Sequence, residues 1–284
     1  MNLLGFHKKF SLLAQEAHLT KNTLLSGFDL LLQANFFQDK DGYFYSAFFH
    51  LSIGMERILK LAVVTHYMLT NDYKTPTIKQ LKHQFGHDIQ TLYGECQKLI
   101  PIYSNPNAEL PALTGHDSEL IAFFTEYGLQ SRYFNLNEVC EAKMERSPLY
   151  KWLDVARSIY EQYTPWHLRE RSAMSLMYKM DRAGYRNGFT MNLTEDGHPM
   201  SQFDCLHRQL VIEKAAPLVI WRLVEILQPI HLLLEAMSDK AREYEVEKKI
   251  SGMVIPHYED FFVFLLADKD SIKRRKKWLS IFNS

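Results

Sequence analysis

The chain has 284 residues, 46% of them hydrophobic, with Lys+Arg and Asp+Glu both at 33. That is enough apolar chain for one large domain or two of ordinary size. The balanced charge excludes a global field that would draw in nucleic acid or an anionic membrane, so any such site must be local. Cys96, Cys140 and Cys205 are isolated, which gives neither a disulfide framework nor a zinc knuckle, and reduced thiols in the cytoplasm are the expectation. The N-terminal MNLLGFHKKFSLLAQEAHL lacks the uninterrupted apolar core of a secretory signal. The most apolar stretch, Leu218 to Leu234, is broken by Arg222, Glu225, Gln228, Pro229 and His231, so no membrane span is expected.

In chain order, Leu3 to Phe37 carries leucines at helical intervals, and the QDKDGY turn returns the chain into a second long helix at Tyr43 to Tyr67. In that second helix Phe44, Ala47, Phe48, Leu51, Met55, Ile58, Leu59 and Ala62 share one face, and apolar residues on the other sides mark it as central. Its polar residues Ser46, His50, Glu56, Arg57 and Lys60 then need partners from neighbouring helices, with Glu56 and Lys60 spaced to pair directly. Further helices are predicted over Ile78 to Leu99, interrupted near Gly86, and over Asp117 to Phe134 after a proline- and asparagine-rich connection at Pro101 to Gly115.

Thr75-Pro76, Ser147-Pro148 and Thr164-Pro165 each place a hydroxyl cap before a proline suited to the first helical position. They predict helices beginning at each, the last two over Pro148 to Tyr163 and Pro165 to Arg182. Around 186–204 the period falls to two, with Phe189, Met191 and Leu193 alternating with polar residues before Asp196-Gly197, which predicts one β-hairpin. Helical spacing resumes over Leu206 to Lys249, where Pro217 and Pro229 are expected to kink or divide the helix, and a final helix is predicted over Tyr258 to Leu279. The fold class is therefore mainly α, a bundle over 1–163 followed by a helical region over 164–284 with one hairpin. Thr164 to Gly188 is the candidate boundary, and the alternative is that the second part simply packs onto the first.

The SAFFHLSIGMERILKLAV helix with its Glu56-Arg57 and Lys60, GHDIQTL at Gly86 to Leu92 and SRYFNLNEV at Ser131 to Val139 resemble the HEPN helical-bundle family over roughly Leu3 to Tyr163. Many members of that family are metal-independent ribonucleases built on an arginine followed about four to six residues later by a histidine. Arg132 resembles the family arginine by position, but no histidine lies in range after it, and Arg57 to His66 and Arg222 to His231 are too widely spaced. The resemblance thus implies a binding, dimerising or regulatory role of the kind found in toxin–antitoxin or antiphage systems. Its implied partners are a second copy, a protein from a neighbouring gene, or RNA or another nucleic acid.

Three constellations carry candidate chemistry. His50, Arg57 and Arg132 combine an imidazole for acid–base work with guanidinium groups for phosphate, the alternative being a buried polar network with Glu56. His83, His87, Asp88, His116 and Asp117 offer imidazole and carboxylate ligands for a divalent metal, against the plainer reading that each Gly-His-Asp aspartate caps a helix. Lys273, Arg274, Arg275, Lys276 and Lys277 with Trp278 beside them read as a phosphate-backbone contact with a stacking indole, or else as a solvated basic helix end. No Gly-x-Ser-x-Gly elbow, glycine-rich phosphate loop or paired Glu-x-x-His motifs of a di-iron bundle occur, and no cofactor is expected.

Overall fold

The computed structural model describes residues 5–36, 40–83, 86–103, 113–140, 146–185 and 188–283. Among them the chain is mainly helical, with one small hairpin. The opening pair is α1 (Lys8–Gln33) and α2 (Gly42–Thr70). They run antiparallel and very close: an added Cβ on Gly27 would lie 2.7 Å from the Leu51 side chain, and one on Gly54 would lie 2.7 Å from that of Leu24. Two glycines on facing helices thus each receive a leucine of the other. All eight residues of the predicted α2 face are buried.

Short α3 (Ile78–His83), α4 (Ile89–Tyr103) and α5 (Gly115–Leu129) follow, then a 3₁₀ turn at Ser131–Tyr133, α6 (Phe134–Val139), α7 (Pro148–Tyr163) and α8 (Trp166–Arg182). Ser147 caps α7 as expected, its hydroxyl accepting from Leu149 N–H with Pro148 in the first turn. The other two proline signals shift. At α3 the cap is Thr77, whose Oγ1 accepts from Gln80 N–H while the Gln80 side-chain Oε1 accepts from Thr77 N–H. At α8 the helix begins at Trp166 with no side-chain cap. Residues 104–112 of the 101–115 connection and Gln38 and Asp39 of the QDKDGY turn lie outside the described residues.

The predicted hairpin is present as β1 (Phe189–Leu193) against β2 (Pro199–Ser201), closed by a turn in which Gly197 sits at φ +79°. It leads into α9 (Gln202–Glu247), 46 residues long. Neither Pro217 nor Pro229 divides it: the helix packs against α2, α4, α5 and α7, and that burial outweighs the ladder bond each proline removes. Buried residues from Ala17 to Trp278 form one cluster, so the core runs across the 163/164 division and the second part packs onto the first.

The expected last helix over Tyr258 to Leu279 is corrected by the structure. It is two 3₁₀ turns (Tyr258–Asp260 and Val263–Leu266), α10 (Lys269–Arg274) and a final turn, α11 (Leu279–Phe282). Phe262, Phe264 and Leu265 are all buried in this segment. No helix among the described residues is long and apolar enough to cross a membrane.

Candidate nucleic-acid interface

The basic run does not act as one face. Lys273 and Arg274 end α10, and the backbone turns extended at Arg275, so successive side chains leave in different directions. Trp278 is fully buried, edge-on to Phe28, with its backbone N–H donated to Asp29 at 2.6 Å. It therefore cannot stack on a base, which corrects its expected role. Arg275 lies over the Trp278 and Phe282 rings, and Arg274 Nε donates to the Asp270 carbonyl. Lys277 is exposed.

Lys273 and Lys276 line a groove of about 750 Å³ between the end of α7, α8 and α9. There they meet Arg171 and Lys179 of α8 and Lys214 of α9. On a helix, Arg171, Ser175 and Lys179 repeat every four residues and so share the face that looks into the groove. Against these five cations stands one carboxylate, Glu213, which already accepts from Gln209 Nε2 at 2.7 Å. None of the five cations has an ion-pair partner among the described residues. Tyr163 forms part of the wall, with the Lys269 ammonium 5.9 Å and the Arg222 guanidinium 5.5 Å from its ring, so two more cations lie just behind the wall.

Arg222 has a different office. Its guanidinium grips Asp117 of α5 through two hydrogen bonds of 2.8 and 2.7 Å, and the Asp117 side chain is 1% exposed. Burial alone would raise the Asp117 pKa, but donation from Arg222 and from the Thr114 backbone and hydroxyl holds it below the ordinary value. Burial likewise opposes the charged form of Arg222, and Asp117 more than offsets it, so its pKa rises. Thr114 is the cap of α5, in a reciprocal box with Asp117 as the third residue of the helix. Asp117 is therefore not the cap itself.

The remaining candidates disperse. His87 Nδ1 meets Glu56 at 2.8 Å, where Lys60 also donates at 2.8 Å. Asp88 accepts from Thr91 N–H at 2.8 Å, the plain capping role. His116 Nδ1 meets Ser158 Oγ at 2.9 Å. With Asp117 taken by Arg222, the expected metal set is not assembled, and no group of three potential ligands occurs among the described residues; the His83 side chain lies outside them.

Of His50, Arg57 and Arg132, two are neighbours of one ring: Arg132 lies over Phe49 at 5.7 Å and His50 is edge-on to it at 6.0 Å. His50 Nδ1 meets the Ser46 carbonyl, while Arg57 turns to Glu16 of α1 at 3.2 Å. Glu56 joins His87 and Lys60 rather than this pair, so neither the three-residue site nor its polar-network alternative forms as expected. Ser158 and His116 are no relay either: Glu119 approaches the same Nδ1 at 3.5 Å, whereas a catalytic base uses one nitrogen for the nucleophile and the other for its carboxylate. Burial pushes the Cys96 thiol up to about 12, leaving it without nucleophilic character at neutral pH.

The sequence reading reached Lys273 and Lys276 and missed Arg171, Lys179, Lys214 and Arg222. The four-residue repeat Arg171-Ser175-Lys179 was the available signal. No family model matches the chain, and neither a curated protein nor a solved structure matches it.

Proposed function

We propose that the protein is a non-catalytic, HEPN-like module that associates with nucleic acid by seating a phosphate backbone in the groove between α7, α8 and α9. The observation that carries this reading is the groove's five cations, unpaired among the described residues, against one committed carboxylate. A polyanion supplies the counter-charge they lack and releases condensed counterions when it binds. Among the described residues the groove presents no open aromatic platform, since Tyr160 is buried and Tyr163 is packed edge-on against Trp221 at 4.8 Å. Recognition then falls on backbone charge, with little base preference. Equilibrium binding to labelled RNA and DNA of mixed sequence tests this. Binding that weakens with salt supports it, and no binding at low salt sinks it. Intact RNA after prolonged incubation separates the reading from an atypical ribonuclease using His50, Arg57 and Arg132.

Self-association is a second reading, with a second copy of this chain as the occupant. Trp166, Met174, Met177 and Tyr178 on the outer side of α8, with Phe189 and Met191 of β1, are each more than half exposed. At about 200 Å² per large side chain they present close to the ~800 Å² that each partner buries in a standard interface. Light scattering should show a dimer that Met177→Glu weakens; a monomer at every micromolar concentration removes this reading.

A further inference from the structure

A second cavity, of about 200 Å³, lies at the opposite end of α7 from the groove, where the start of α7, the hairpin and the first turns of α9 meet the segment between α1 and α2. Most of its wall is apolar, with Phe36, Leu149, Leu153 and Met200 contributing. Arg208 enters it from α9 with its guanidinium 5.7 Å from the Tyr150 ring centre. Among the described residues Arg208 has no ion pair and no hydrogen bond. The neighbouring carboxylates have donors of their own: Asp41 accepts from Gly42 N–H at 2.9 Å, and Glu195 and Asp154 are both held by Arg146. An Arg left over an aromatic ring in a mostly apolar cavity has five donors in a planar fork that matches a carboxylate.

We infer that this cavity binds a small organic monocarboxylate, the acid group on Arg208 and a ring or short aliphatic body against Leu153 and Met200. Size sets the class, because an apolar cavity of about 150 Å³ holds benzene. The further third of volume here suits a ring with a carboxylate attached and excludes a nucleotide. Charge sets the polarity, because Arg208 has no hydrogen bond among the described residues, whereas Asp41 accepts from Gly42 N–H and Glu195, which Arg208 helps to hold ionised, is already gripped by Arg146. The site is independent of the groove and of its proposed ligand.

Phenylacetate and hexanoate are suitable probes, with phenylacetamide as the neutral isostere, followed by ligand-observed NMR and calorimetry on the full chain. Both acids should bind, and the amide should bind more weakly. Arg208→Met keeps the side-chain length and should weaken acid binding by about tenfold or more while leaving the amide unchanged and the circular dichroism intact. Leu153→Trp, which fills the cavity, should remove all three. A second readout needs no variant in the wall: Cys205 lines the cavity and is 3% exposed. In a Cys140→Ser background phenylacetate should slow its alkylation by iodoacetamide. Failure of both acids to bind the native chain overturns the inference, as does acid binding that is equal in Arg208→Met or binding that favours benzylamine over phenylacetate.

Discussion

Arg222 and the five groove cations lie within one neighbourhood of α9, yet they are opposite kinds of charge. Arg222 is sunk against Trp221, its guanidinium 4.6 Å from the ring centre, and spends its two hydrogen bonds on a carboxylate that is itself out of water. Arg171, Lys179, Lys214, Lys273 and Lys276 face open solvent around a groove and spend nothing on a partner among the described residues. The difference teaches that a basic residue is informative about ligands only after its partner has been sought. The same division runs inside the Lys273 to Trp278 run, where Trp278 belongs to the core and Lys276 to the groove.

The comparison breaks most visibly in stability. Arg222→Ala strands Asp117 as a buried charge, and a loss of about 3–5 kcal/mol in urea unfolding is expected. Trp278→Ala should cost a similar ~3–5 kcal/mol as a buried aromatic removed from the core, whereas Lys277→Ala, one residue away, should stay within about 0.5 kcal/mol. If Trp278→Ala were as mild as Lys277→Ala, the basic run would be a surface feature throughout.

Acid sharpens the comparison through Asp117. Its folded pKa lies below the unfolded value of about 3.9, so its contribution is fully present above that value and is lost as pH falls through the folded pKa. The urea midpoint should therefore drop between neutral pH and pH about 3, and the part of that drop carried by Asp117 should shrink in Arg222→Met, where only Thr114 still donates to the carboxylate. An unchanged acid response in that variant would mean that Arg222 does not hold the carboxylate ionised. Smaller again, Thr114→Ala removes a cap and should cost about 1 kcal/mol.

Most of the helical frame was legible in the sequence because burial imposes period on it, and the α2 face from Phe44 to Ala62 reads directly; the hairpin read from the alternation of Phe189, Met191 and Leu193 with polar residues, although Phe189 and Met191 are exposed. What failed to read has physical causes. Pro217 and Pro229 are local breakers overruled by a helix buried along most of its length. The apolar run Phe261 to Leu266 is dense without being periodic, and 3₁₀ turns bury it from several sides. Arg222 and Asp117 are 105 residues apart, a pairing no local pattern encodes. The groove was half legible: Lys273 and Lys276 stand in an obvious charge run, but Arg171, Lys179 and Lys214 join them only when α8 and α9 pack.

The salt dependence of RNA binding tests the groove most directly, in the native chain, in a variant with Arg171, Lys179, Lys214, Lys273 and Lys276 replaced by Gln, and in a control with Arg274 and Lys277 replaced by Gln. For a single strand, each phosphate contact adds about 0.7 to the slope of log affinity against log salt. The groove variant should lose up to about 3.5 of that slope with its unfolding midpoint little changed, and the control should keep nearly all of it. Equal slopes in the native chain and the groove variant would contradict the account, as would a larger loss in the control.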